Sequence, residues 1–492
     1  MKQLKTYLAF LVLALSFQAF SQSNVFLNRE FWDSKPSVET IEERIKDGNN
    51  PSEANSNNFD GVVYAILQNA PFKSIVYLMT QKGNDVNKLT HDGRTYIFWA
   101  AYKGNTEIVA YLLENGTKTD LTDDKGNTII NFAAGAGQAN TKVYDLILEK
   151  NVDLIKKTNP NGANALLLGA PTDTDFKLTS YFQSKGLSIK SLDNDGNGIF
   201  NYVAKAGNIE LMNSLLEKGL KGTDQAFLFA ATGTRGNSNG IEVYKYLESV
   251  GLNPNVTNNE GVNPLHVLAA RSKDETVINH LLEKGIDVFA TDNKGNSAFM
   301  NAASRNNLAI VKLLSQKLKL VDSKNKKGQS ALTLAVGSNV ADVVEFLLNN
   351  DADATIIDEK GNDLTYYLIN SYSSRNKEQF SKKLALLKSR NVNLSKVQES
   401  GNTWYHLAVE KNSLELLKLA TEMKQDINAK NKEGNTALHL AALKAKDDKI
   451  LKFLIEQGAD KKVVTDFEES AYDLAKENEL LTEKKISIKF LK

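Results

Sequence analysis

Short apolar runs alternate with polar turns along this chain at a regular interval. A glycine, a polar residue and then an apolar, alanine-rich run recur from Gly93, Gly126, Gly162, Gly196, Gly261, Gly295, Gly328, Gly361, Gly401 and Gly434, with a degenerate copy at Gly222. The commonest interval between them is 33 residues, a period that marks stacked units, each too small to bury its apolar face alone. Each unit carries a second apolar run that ends in a leucine pair and a stop. Examples are Leu112-Leu113 with Gly116, Leu215-Leu216 with Gly219, Leu281-Leu282 with Gly285, and Leu454-Ile455 with Gly458. A glycine there supplies the left-handed backbone that ends a helix.

The polar positions are as regular as the apolar ones. Three residues before the glycine stand Asp123, Asn159, Asp193, Asn258, Asp292, Asn325, Asp358 and Asn431. Asp or Asn opening a tight turn and Gly closing it is the signature of a type I turn. Two residues after the glycine, Thr95, Thr128, Ser297, Ser330, Thr403 and Thr436 are placed to cap a helix by accepting backbone N–H groups. The paired small residues Ala100-Ala101, Ala133-Ala134, Ala302-Ala303 and Ala441-Ala442 let neighbouring units approach closely. The predicted unit is turn, helix, helix, glycine stop.

Thr436-Ala437-Leu438-His439-Leu440-Ala441-Ala442 and Asn263-Pro264-Leu265-His266 resemble the ankyrin signature Thr-Pro-Leu-His-x-Ala-Ala. The resemblance extends over roughly residues 60 to 480. In Thr403-Trp404-Tyr405-His406 a tryptophan replaces the signature proline. The fold class this implies is an all-α repeat solenoid of about eleven to twelve ankyrin repeats in a curved stack. Residues 22–60 are expected to hold an N-terminal segment with a partial capping repeat from residue 37. Residues 61–466 would hold the repeats, and 467–492 a C-terminal cap that covers the last stacking face. Three irregular units carry longer loops at 171–175, 232–240 and 371–379, read as spacers.

The first twenty-one residues break the pattern. Lys2 and Lys5 precede an apolar run from Tyr7 to Phe20, and Ala19-Phe20-Ser21 offers small residues where a signal peptidase reads. This predicts a secretory signal peptide, too short and wrongly flanked for a membrane anchor, with the mature chain starting near Gln22 in the periplasm or outside the cell. The chain as a whole has the composition of a soluble protein, with 60 Lys and Arg against 59 Asp and Glu and a net charge of +1. That balance gives no electrostatic reason to expect nucleic acid or membrane as partner. Cysteine is absent, which excludes disulfides, thiol catalysis, Cys-ligated metal and acylation at a lipoprotein cysteine.

Little in the sequence points to catalysis. Of five histidines, His266, His406 and His439 occupy the signature position, where the resemblance implies a hydrogen bond between neighbouring repeats. His91 falls in a turn and His280 in a second helix, neither at metal-ligand spacing. There is no Gly-x-Ser-x-Gly elbow and no phosphate-binding glycine loop. Asp193-Asn194-Asp195-Gly196-Asn197-Gly198 matches the opening of a calcium loop, but position twelve is Ala204 where a bidentate Glu is needed. No metal, cofactor or catalytic residue is expected.

What remains is surface. The resemblance implies a partner held against the concave face, made by the turn tips and the exposed side of each first helix. By register this face takes His91, Asp92, Arg94, Tyr102, Lys103, Lys125 and Asn127, then Lys294, Asn296, Ser304, Arg305, Lys327 and Gln329, then Glu410, Lys411, Glu433, Asn435 and Lys444. Tyr102 with Lys103 and Arg94, an aromatic anchor beside charge, is the best single patch. Asn127, Asn197, Asn296, Asn362, Asn402 and Asn435, each directly after a turn glycine, are read as turn residues rather than a peptide-gripping ladder. The expected function is a monomeric, non-catalytic protein-binding scaffold. Exported bacterial relatives that the chain resembles are connected with envelope stress protection. The alternatives are a secreted effector that binds a host or competitor protein, and an enzyme with a site in the irregular units between 160 and 260.

Overall fold

The computed structural model describes residues 24–234, 236–316 and 321–492, so the signal-peptide reading of residues 1–21 lies outside it. Twenty-eight α-helices among the described residues form fourteen consecutive pairs. Twelve of these pairs lie between residues 61 and 466. The chain divides into two compact units, residues 1–226 and 227–492. The first runs from the pair Arg29–Asp33 and Val38–Lys46 to the pair Ile199–Ala204 and Ile209–Glu217. The second runs from Ala226–Thr232 and Ile241–Ser249 to Ala471–Glu477 and Glu479–Glu483. Strand-like pairing among the described residues is limited to isolated bridges, such as Thr291 with Ser297.

Within each unit, first helices pack on neighbouring first helices and second helices on second helices. The small residues make this possible: Ala100, Ala101, Ala133, Ala134, Ala302, Ala303, Ala441 and Ala442 are all buried. Of each leucine pair, Leu112, Leu215, Leu281 and Leu454 are fully buried, and the second member is half-buried. Hydroxyl caps form at Thr128, Ser297, Ser330 and Thr436. Thr95 does not cap; its hydroxyl is buried without a partner. Gly222 is no turn glycine, since its φ is not positive and it packs against the Phe200 ring. The N-terminal helix pair opens before residue 37. Trp32 in the Arg29–Asp33 helix is fully buried, and its indole N–H donates to the Phe26 carbonyl at 2.8 Å.

The turn tips are joined by a backbone ladder. In the first unit Asp124 N–H donates to the Asp92 carbonyl (2.9 Å) and Asn194 N–H to that of Asn161 (2.9 Å). In the second, Asn293 donates to Glu260 (2.7 Å), Lys326 to Lys294 (2.9 Å), Glu359 to Lys327 (2.9 Å) and Lys432 to Ser400 (2.9 Å). Close approach explains the turn glycines: a Cβ on Gly328, at φ 76°, would lie 2.7 Å from the Glu359 nitrogen.

A second inter-repeat device closes the first helices. Asn306 donates to the Ala269 and Ser272 carbonyls, Asn339 to those of Ala303 and Asn306, and Asn478 to those of Ala442 and Ala445. These carbonyls have no partner within their own helix, and the asparagine of the next repeat satisfies them. The long loops do comparable work. Asp173 accepts from the N–H groups of Leu178 (3.0 Å) and Thr179 (2.6 Å), and Asn239 donates to the Ala230 carbonyl (3.0 Å). Gln379, expected in the third loop, lies instead in the Lys377–Ser389 helix and accepts from Ala341 N–H (2.8 Å).

Candidate partner-binding face

The turn fixes the direction of every side chain on the tips. The Asp or Asn that opens each turn accepts the N–H groups two and four residues on, as Asp292 does from Lys294 and Asn296, both at 2.8 Å. The residue after the turn glycine then belongs to the ladder. Asn127, Asn197, Asn296 and Asn362 donate back to Asp123, Asp193, Asp292 and Asp358. Where the next turn opens with Asn instead, that residue donates to the previous repeat, Asn325 to Asn296 and Asn431 to Asn402, both at 2.9 Å. Asn127 is therefore occupied by its own turn.

Arg94 stands in this same position, and the expectation that it faces solvent is incorrect. It is 6% exposed. Its own turn opens with Thr90, where other turns place Asp or Asn, so the guanidinium reaches Asp123 of the next repeat (Nη2 to Oδ2, 2.9 Å) as well as Asp92 at the tip of its own turn (3.2 Å). It lies over the Phe132 ring at 4.2 Å and near that of Trp99 at 5.2 Å. Lys125, exposed, completes the cluster by pairing with Asp92 at 2.7 Å. The Lys125 hydrogen bond is the main cause holding the Asp92 carboxyl below its ordinary pKa, aided by Arg94 and His91 and opposed by burial.

Tyr102 and Lys103, at the end of the Tyr96–Lys103 helix, do reach the surface. Tyr102 is 39% exposed and stacks on Phe132 with ring centroids 5.8 Å apart. With Trp99, Phe59 and Leu67 it lines a groove of about 380 Å³, rimmed by Arg29, Gln68 and Lys103. Phe59, Leu67 and Arg29 were invisible as site residues in the sequence, because they precede Gly93, where the recurring glycine pattern begins.

In the second unit Lys294, Arg305, Lys327, Glu410 and Lys444 are exposed and Lys411 is half-buried, with its ammonium on the Asn370 carbonyl at 3.1 Å. Lys327 lines a smaller pocket of about 320 Å³ with Lys326, Lys360 and Tyr366. Lys294 sits one tip away, joined through the backbone ladder.

The remaining candidates for chemistry are engaged structurally. His266, His406 and His439 accept, through Nδ1, the N–H of Asn263, Thr403 and Thr436. That leaves the proton on Nε2, which donates to the carbonyls of Asn296 (3.0 Å), Asn435 (2.9 Å) and Val463 (2.9 Å) in the following repeat. Burial holds all three below the ordinary imidazole pKa. His280 pairs with Glu248 of the preceding repeat at 2.8 Å. Asp193, first in the calcium-like run, is saturated by Asp195 N–H, Asn197 and the Tyr202 hydroxyl. Among the described residues no three His, Asp or Glu side chains converge so as to hold a metal ion.

Comparison with known proteins places this arrangement. A family model of ankyrin repeats in three copies matches residues 62–158, 228–320, 265–358 and 369–465. The chain is 28% identical over 147 residues to the phosphocholine transferase AnkX of Legionella pneumophila, covering 30% of this chain and 15% of that protein. It is 27% identical over 193 residues to a putative ankyrin repeat protein, L371, of Acanthamoeba polyphaga mimivirus, covering 38% of this chain and 24% of the other. Alpha-latroinsectotoxin-Lt1a of Latrodectus tredecimguttatus is 26% identical over 340 residues, 65% of this chain and 20% of the toxin. The chain thus spans no more than a quarter of the length of any of these three. The ankyrin repeat domain of human ASB11 aligns with a TM-score of 0.37 and 22% identity, over 44% of this chain and 92% of that domain. The family matches cover well over half of the sequence, with the turn, alanine pairs and bridging histidines in register, and the chain belongs to the ankyrin repeat family.

Proposed function

We propose that this chain is a non-catalytic protein-binding scaffold that works in the periplasm or outside the cell, with envelope stress protection as its setting. The observation that carries the reading is a division of labour between positions. Residues that build the turn, the helix caps and the inter-repeat bonds are buried or half-buried and repeat from unit to unit. Residues at the tips and at the ends of the first helices are exposed and vary: Tyr102, Lys125, Lys294, Arg305, Lys327, Glu410, Lys444. A constant frame with variable exposed ends is how an array presents different contacts to one partner. Export rests on Lys2, Lys5 and the apolar run that follows, and N-terminal sequencing of the native protein should find Gln22 first. No helix among the described residues is long and apolar enough to cross a membrane.

The test is capture of partners from envelope extract by the full chain, read by mass spectrometry. Replacing Tyr102 and Lys103 together with Ala should keep the helical signal and weaken capture by at least ~2 kcal/mol if an anchor lies there. Arg94 is unsuitable for this purpose, because its removal leaves Asp123 buried without its cation. Normal capture by the double variant, with loss on substitution of exposed second-helix residues, contradicts the reading.

A further inference from the structure

The groove at the start of the first unit is assembled differently from the rest of the exposed surface. Its aromatic wall is held rigid from behind. The Trp99 indole N–H donates to the Thr90 hydroxyl at 2.8 Å, Tyr102 stacks on Phe132, and Phe59 stacks on His91 with centroids 4.4 Å apart. Such a wall accepts a flat or large apolar side chain with little ordering cost, as preorganised anchors do. Its rim is cationic. Arg29, exposed, is steadied over the Tyr64 ring at 5.6 Å, and Lys103 is half-buried at the other edge. No carboxylate lines the groove. Nearby Arg94 and Lys125 are paired with Asp92 and Asp123, while no ion pair among the described residues engages Arg29 or Lys103. Residues 1–23 of the chain bring Lys2 and Lys5 and no acid, so they do not complement this rim.

We propose that the groove binds an extended segment of a protein partner in which one aromatic residue is flanked by carboxylates. The ring lies against Phe59, Trp99 and Tyr102, and the two acids meet Arg29 and Lys103. This rests on the scaffold reading and adds to it the chemistry of the bound segment.

Isothermal titration of the full chain with Gly-Ser host peptides carrying Glu-Trp-Glu, Lys-Trp-Lys or Glu-Ala-Glu tests it. Glu-Trp-Glu should bind at least about tenfold more tightly than either of the others, and its affinity should fall as salt rises. Charge reversal by Arg29→Glu with Lys103→Glu should invert the order of the first two peptides. Tyr102→Ala, a change at the surface, should weaken both without altering the helical signal. Equal binding of the acidic and basic peptides, no heat with Glu-Trp-Glu at millimolar concentration, or indifference to the charge reversal would overturn the proposal. So would a self-association, seen in sedimentation, that the reversal abolishes, because a second copy would then be the occupant. A partner captured equally by wild type and the reversed variant removes the groove but leaves the scaffold. Failure of the full chain to retain any partner, with Glu-Trp-Glu still bound, removes the scaffold and leaves the groove.

Discussion

Lys383 holds the place that asparagine holds elsewhere. Asn306, Asn339 and Asn478 close the first helix of the preceding repeat at Ala269, Ala303 and Ala442. At the equivalent Val336 carbonyl the donor is the Lys383 ammonium, at 2.6 Å, from the Lys377–Ser389 helix. The loop at 371–376 is longer here, and Asn376 turns inward to the Ser371 carbonyl. Lys383 is 1% exposed with no carboxylate beside it, and burial pushes its pKa down to about 8. The folded pKa lies below the unfolded one, so the unfolded chain binds more protons between these values and stability rises with pH across that window. Urea unfolding of the second unit should therefore gain on the order of 2–3 kcal/mol between about pH 8 and 10.5. Lys383→Met should flatten that rise; a slope that survives the substitution assigns it to another group. Glycine substitutions separate two physical causes at the same scale. A Cβ added at Gly285, which sits at φ 80°, would meet nothing within 4 Å, so Gly285→Ala should cost only the left-handed strain, about 1–2 kcal/mol. Gly328→Ala adds a clash with the backbone ladder and should cost clearly more; equal losses in thermal unfolding would mean that the ladder yields freely.

At the scale of the element, the capping histidine joins one first helix to the next repeat. Each is buried and neutral, with a folded pKa below its ordinary value, so the unfolded chain takes up protons first as pH falls. Stability is full above about pH 6.5 and is lost below it. Hydrogen exchange at pH 5.5 against 7.5, corrected for intrinsic rate, should show weakened protection around residues 263–296 and 403–464. His406→Ala with His439→Ala should be less stable at neutral pH but lose the acid-induced change over 403–464, and an unchanged acid response there would place it elsewhere. These elements were legible because their chemistry is local: the Asp or Asn, the glycine and the hydroxyl cap lie within five residues of one another. Thr95 and Gly222 fit the pattern as letters and fail in three dimensions. Gly222 faces the Phe200 ring, and the Thr95 hydroxyl finds no acceptor or donor. The asparagine clamps were missed since each acts on the repeat before its own, about 35 residues away.

At the scale of the whole molecule, repeats in a stacked array contact their neighbours, so a core lesion should stay local within its unit. Leu438, buried in the Ala437–Lys444 helix, should lose about 2–5 kcal/mol on change to Ala, with hydrogen exchange rising over residues 400–490. An equal rise through the entire chain would indicate one cooperative core. The binding face was legible only in part. Register put Tyr102, Lys103 and the tip lysines at the surface correctly, but it also put Arg94 there. Arg94 was misjudged because Thr90 replaces the usual turn acid, a substitution that sends the guanidinium into the next repeat. The central claim is that a partner meets the variable ends of the first helices and the turn tips. Hydrogen exchange of the full chain with and without its captured partner tests this most directly. The account predicts new protection at the first-helix ends and tips, around residues 59, 99–103 and 125 or around 294, 327 and 360, with second helices unchanged. Protection confined to the second helices, such as 106–114 or 341–349, would contradict it.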